Sequence, residues 1–169
     1  MGYHVHGSDL SEKMVDYSQE NLQWLTTHYP LLATHYSVET ADATTHTWDF
    51  SKLQALSSKV SVVCETYLGK PLTSLPDTKK LDEIIHEAHT IAEGFLGNIA
   101  PQLEKGTRLC VALPSWHLGN GKFQHLKVLD HLSDLGYNRL DLVHASQEDL
   151  IYHRENQVVA RELTILEKI

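Results

Sequence analysis

The stretch Val60 to Leu72, V-S-V-V-C-E-T-Y-L-G-K-P-L, restricts what this chain can become more than any other. Its first half, Val60 to Cys64, is apolar except for Ser61 and predicts a strand buried on both faces of a parallel sheet. The run then stops at Glu65, Thr66 and Tyr67, and Gly69 and Pro71 mark a loop. In open α/β sheets ligands bind outside the carboxyl ends of strands, so an acid, a hydroxyl and an aromatic at this point form a candidate site. The competing reading is a strand that ends in an ordinary polar loop.

The remaining sequence sets the context. At 169 residues the chain has the length of one ordinary domain, and a single domain over 1–169 is the expectation. Its net charge is −8 and it has no Lys/Arg cluster, which argues against a domain that grips nucleic acid unaided, since cations supply most affinity for phosphate. Met1 to Ser8 lacks the basic and apolar regions of a signal peptide, and no apolar run is long enough to span a bilayer. A cytoplasmic protein with no membrane role is expected. Cys64 and Cys110 lie in apolar runs, where a free thiol behaves as a small hydrophobe, so no disulfide framework is implied.

In chain order, Tyr3 to Gly7 favours a strand, Gly7-Ser8-Asp9 a turn, and Ser11 an N-cap that opens a helix to about His28, ended by Pro30. Strand, Gly-x-Asp and helix is the local grammar of nucleotide-binding α/β units, in which the acid bonds ribose hydroxyls. Asp9 is placed for that role, or for capping the helix that follows. Tyr36 to Ala43 reads as a strand with Asp42 at its end, and Phe50 to Leu56 as a short helix. Apolar spacing from Leu81 to Leu96 predicts a helix over about 79–99 that packs on a sheet. Thr107 to Leu113 predicts a strand that ends at Pro114-Ser115-Trp116, and Leu118 to Gly121 a flexible loop. Phe123, Leu126, Leu129 and Leu132 suggest a helix over 122–135 with Gly136 as its C-cap. Tyr137 to Val143 and Gln157 to Glu167 read as an antiparallel closing pair, the second alternating through Val159, Arg161, Leu163 and Ile165, with Gln147 to Asn156 an exposed connection. The order β-α-β-(α)-β-α-β-α-β-β defines an α/β sandwich with a mostly parallel sheet.

Gly2 to Leu22, with its G-S-D-L, resembles the second strand and following helix of class I S-adenosylmethionine-dependent methyltransferases. It is most similar to the THUMP-bearing RNA guanine-N2 enzymes, including those acting on guanine 10 of tRNA. The resemblance extends to Asp42-Ala43, to Gly106–Pro114 as a fifth strand and to Arg161–Leu166 as the last. It implies a Rossmann-like fold and S-adenosylmethionine as cofactor, with Asp9 on the ribose, Leu10 beside the adenine, and Asp42 and Ala43 at the adenine amino group. It also implies an RNA substrate, tRNA first, held by an upstream module.

Two departures from that pattern stand in the sequence. The family's D-P-P-Y, which holds the target amine and stacks on the base, is here Glu65-Thr66-Tyr67-Leu68-Gly69, without prolines and with the aromatic displaced by one. Glu65 would accept a hydrogen bond from an exocyclic amine and Tyr67 would stack on an extruded base. The family's first strand and Gly-rich loop, which should precede Gly2, are not in the sequence, so the domain reads as N-terminally incomplete. Either the second and fourth strands pair directly, or this chain is the C-terminal part of a longer protein; the latter is the expectation, with a missing N-terminal segment or a partner chain to complete the sheet. Metal chemistry is not expected: Glu83-x-x-His86 with His89 reads as solvated helix surface, and His4 and His6 have no third ligand near them in sequence. Three functions follow: a nucleobase N-methyltransferase, a catalytically inactive fragment serving as an interaction module, and a nicotinamide-dependent enzyme sharing the strand-to-Asp9 grammar.

Overall fold

The structure, a computed structural model, describes residues 4–29, 35–50 and 59–169. Pro30 and most of the expected helix at Phe50 to Leu56 lie outside the described residues. The chain divides into two compact units, Met1–Val60 and Ser61–Ile169.

In the first unit β1 (His4–Asp9) leads into α1 (Glu12–His28), and β2 (His35–Thr40) returns parallel to β1 with Asp9 opposite Thr40. Ser11 occupies the N-cap position of α1, but its side chain makes no capping bond. Instead its backbone N–H donates to Asp9 Oδ1 at 2.7 Å. His4 stacks on His35 across the strand pair, ring centroids 4.8 Å apart. His6 bonds Ser37 Oγ and Glu39 Oε1 at 2.7 and 2.8 Å, and His46 reaches the same Glu39 oxygen at 3.0 Å. The hydrogen bond from His6 is the first cause that holds the Glu39 carboxyl below the usual glutamate range. A depressed carboxyl contributes stability that is present above its unfolded pKa and is lost as pH falls through its folded one. Titration of Glu39 by NMR is therefore expected to show a midpoint below that of an ordinary glutamate, and His6→Ala is expected to move it up.

The second unit is built on a sheet ordered β3 (Ser61–Glu65), β4 (Arg108–Gly119), β8 (Val159–Lys168), β6 (Tyr137–Arg139), with β5 (Lys122–Gln124) on β4 and β7 (Ile151–Tyr152) on β8. β3 and β4 are parallel, and every pair involving β8 is antiparallel, so the sheet is mixed. α2 (Thr78–Ile99) opens at Asp77, whose carboxylate accepts the Lys80 N–H at 2.9 Å, and buries Leu81, Ala88, Ala92, Phe95, Leu96 and Ile99. Tyr137, fully buried, donates its hydroxyl to the Leu96 carbonyl at 2.9 Å and ties β6 to the end of this helix. Among the described residues β1 pairs with β2 within the first unit and β3 with β4 within the second.

Several expectations change. β3 is not buried on both faces: its burial alternates and Val63 is 82% exposed, because only one side of the strand is covered. β4 runs on to Gly119, and Pro114, Ser115 and Trp116 are buried within it rather than marking its end. Ala112 O accepts the Thr66 N–H, so Pro114, two residues on, turns its hydrogen-less nitrogen to the same side, beyond the end of β3 at Glu65 and before β5 pairs at Trp116. Leu118 to Gly121 is the tip of the β4–β5 hairpin, with Gly119, Asn120 and Gly121 all at positive φ. The expected helix over 122–135 is β5 followed by two 3-10 turns, Lys127–Asp130 and Leu132–Leu135, closed by Gly136 in the left-handed region. β6 stops at Arg139, short of Val143, and the connection 147–156 contains a 3-10 turn, Glu148–Leu150, and β7. On β8 the fully buried set is Ala160, Glu162, Thr164 and Leu166, while Val159, Arg161, Leu163 and Ile165 are only half-buried.

Candidate functional site

In the first unit the candidate cofactor residues gather at the carboxyl ends of two adjacent parallel strands. Asp9 is the last residue of β1, and its backbone oxygen accepts the Ala41 N–H at 2.9 Å, which fixes the start of the segment after β2 beside it. Asp42 lies two residues beyond the end of β2, so the strand does not reach Ala43 as expected. Asp42 Oδ1 accepts both the Thr44 hydroxyl at 2.7 Å and the Thr44 N–H at 2.9 Å, and these bonds hold its carboxyl below the usual aspartate range. Asp9 is exposed, and Leu10 projects into solvent, 72% exposed. Asp9 thus performs the local bonding expected of a helix-start residue, and its second oxygen makes no hydrogen bond among the described residues.

In the second unit Glu65 ends β3, and its carboxylate takes an ion pair from Arg161 Nε on β8 at 2.5 Å. That partner is 96 residues away and gave no sequence signal. Thr66 adds both its N–H and its hydroxyl to the Ala112 carbonyl, at 3.0 and 3.1 Å, so the hydroxyl serves the backbone. The Tyr67 phenol is raised above its ordinary value first by burial and then by the Glu87 carboxylate. Just before them, burial and the Glu65 charge push the Cys64 thiol up to about 11, the opposite of what a nucleophile needs.

Sequence reading missed a buried ionic cluster in this unit. Glu162, 2% exposed, accepts from Arg139 Nη2 at 3.1 Å on one oxygen and is bonded to His125 Nδ1 on the other. The signal available was a glutamate inside an apolar strand. It also missed that His89 on α2 converges with Glu93 and His131, and not with Glu83 and His86.

The parallel β-α-β of the first unit and the mixed sheet of the second, with its antiparallel last strand, are α/β in architecture and similar in fold to S-adenosylmethionine-dependent methyltransferases of Rossmann-like type. An S-adenosylmethionine-dependent methyltransferase from Methanosarcina mazei superposes with a TM-score of 0.53 over 99% of this chain and 83% of its own, at 14% sequence identity. A provisionally assigned methyltransferase from Bacillus halodurans C-125 gives a TM-score of 0.43 over 99% of this chain and 91% of its own, at 10% identity. No family model matches the sequence, and no curated protein matches it. Among the described residues no helix is long and apolar enough to cross a membrane.

Proposed function

We propose that this chain supplies the ribose and adenine side of an S-adenosylmethionine site and directs methyl transfer to an exocyclic amine of a nucleobase, guanine N2 of tRNA being the first candidate. The observation that carries the reading is the pair of acids, Asp9 and Asp42, set beyond the ends of two adjacent parallel strands. The donor set fits the adenosyl group: Asp9 keeps one oxygen for ribose hydroxyls while the other is fixed by Ser11 N–H, and exposed Leu10 offers an apolar surface for the base. Asp42, held ionised by Thr44, can accept from the adenine amino group. When bound, the cofactor supplies an electrophilic methyl group. The protein's own part is orientation and charge placement.

Within the second unit, Arg161 holds Glu65 in one orientation at the end of β3. From there its carboxylate can accept a hydrogen bond from an incoming amine. Tyr67 offers a face for the base, and Thr66 pins the turn between them. Because the surface carries a net charge of −8, an upstream RNA-binding module or partner would hold the tRNA.

Calorimetric titration of S-adenosylhomocysteine into the chain tests the reading. Binding is expected, with its loss in Asp9→Ala and its retention in Glu65→Gln, while methylation of tRNA by a chain that binds is expected to fall in Glu65→Gln. No binding by a folded chain would overturn the proposal and leave the second reading, a non-catalytic module. That reading draws on the Glu65–Arg161 pair, since an acid already satisfied by a strand neighbour serves the fold without any substrate.

A further inference from the structure

We propose a divalent metal site of the zinc class at His89, Glu93 and His131. His89 and Glu93 stand four residues apart on α2 and therefore share one face of the helix. His131 comes from the junction of the two 3-10 turns, where its φ of −138° breaks the helical run between Asp130 and Leu132. One donor atom from each side chain lies within 4.8 Å of the others.

The spacing leaves room for an ion between the three side chains. Glu93 Oε2 is 3.7 Å from His89 Nε2 and Glu93 Oε1 is 3.7 Å from His131 Nε2, both beyond hydrogen-bond range. Two donors each about 2.1 Å from one tetrahedral ion lie roughly 3.4 Å apart, so small side-chain adjustments bring this trio onto a common centre. The two imidazoles meet edge to face, with centroids 6.0 Å apart, and do not stack. His89 Nδ1 is buried without a hydrogen-bond partner, and its ring has no bond within 3.5 Å among the described residues. The nitrogen that faces Glu93 is Nε2, which makes no hydrogen bond among the described residues and is open to an ion held by the trio.

Two imidazoles and one carboxylate are the donors that zinc and its neighbours accept, whereas calcium and magnesium prefer all-oxygen shells. Three protein ligands leave one position for water, and the partial exposure of Glu93 and His131 gives an ion a path in. The ion would fasten the middle of α2 to the 127–135 segment, whose short 3-10 turns have few hydrogen bonds of their own.

The test is titration of zinc ion alone into the untagged full chain, followed by calorimetry and thermal denaturation, with cobalt ion as a spectroscopic substitute. One ion per chain is expected, with a rise in melting temperature and visible absorption of four- or five-coordinate cobalt. His131→Gln and Glu93→Gln are each expected to weaken binding by roughly a hundredfold and to remove the thermal shift, since each deletes one of three ligands. His86→Gln, on the same helix but outside the trio, is expected to change nothing. Both altered side chains in the first two variants are half-exposed, so circular dichroism like that of the wild type will establish that they fold. Absence of stoichiometric binding, or binding that His131→Gln and Glu93→Gln leave intact and that therefore resides on other histidines, would overturn the proposal.

Discussion

Replacing Arg139 with methionine is expected to destabilise the protein by about 3 kcal/mol, read as a lower urea midpoint at unchanged slope. The guanidinium is the inner counter-charge of Glu162: its Nη2 lies 3.1 Å from a carboxylate that is almost wholly withdrawn from water in the middle of β8. Removing one partner of a buried pair leaves a charge that neither water nor protein compensates, a loss of roughly 3–5 kcal/mol in general. The lower end applies because His125, on the other carboxylate oxygen, remains. The double variant Arg139→Met, Glu162→Leu is expected to recover most of the loss, since an apolar pair has no charge to solvate and half-exposed His125 can turn to water. A single variant within 1 kcal/mol of wild type would show that His125 alone satisfies Glu162.

Trp116→Ala is expected to cost about 3–5 kcal/mol, the range for truncating a large aromatic in a packed core. The indole is wholly buried on β4, at the point where that strand pairs with β5 on one side and β8 on the other. Its Nε1–H has no hydrogen-bond partner among the described residues. An unsatisfied buried donor costs about 1–3 kcal/mol, so Trp116→Phe removes a penalty along with some volume and is expected to fall within about 1 kcal/mol of wild type. Equal damage from Phe and Ala, measured by the same denaturation, would mean that the indole N–H is satisfied or that ring size alone governs this layer.

Local signals in the sequence were sufficient for both long helices and for the acids at strand ends. Asp77, two residues ahead of Lys79, and the apolar stripe from Leu81 to Leu96 determine α2 within the chain's own neighbourhood. The false helix at 122–135 is instructive: Phe123, Leu126, Leu129 and Leu132 recur every three residues, which is the period of a 3-10 turn and not 3.6. The expected end of β4 at Pro114 failed because whether a proline interrupts a strand depends on which neighbour its nitrogen faces, a property of the sheet and not of the peptide. The partners Arg161 for Glu65, and Arg139 and His125 for Glu162, come from distant segments, so no spacing rule could reveal them. The same holds for His131, whose approach to His89 and Glu93 follows from the turns that replaced the expected helix.

The strand β8 carries a consequence for how the protein is made. It pairs with β4, β6 and β7, yet it is formed by residues 159–168, which are synthesised after all three. During translation β4 therefore emerges with its longest partner still unmade, and Leu109, Val111 and Leu113 must wait while some fifty further residues are added. At ribosomal speeds of about 5–20 residues per second that wait lasts several seconds, long compared with hairpin formation, and leaves an apolar strand open to other chains. The β4–β5 hairpin can close at once, because Gly119-Asn120-Gly121 already has the backbone its turn needs, and it partly shields β4 until β8 arrives.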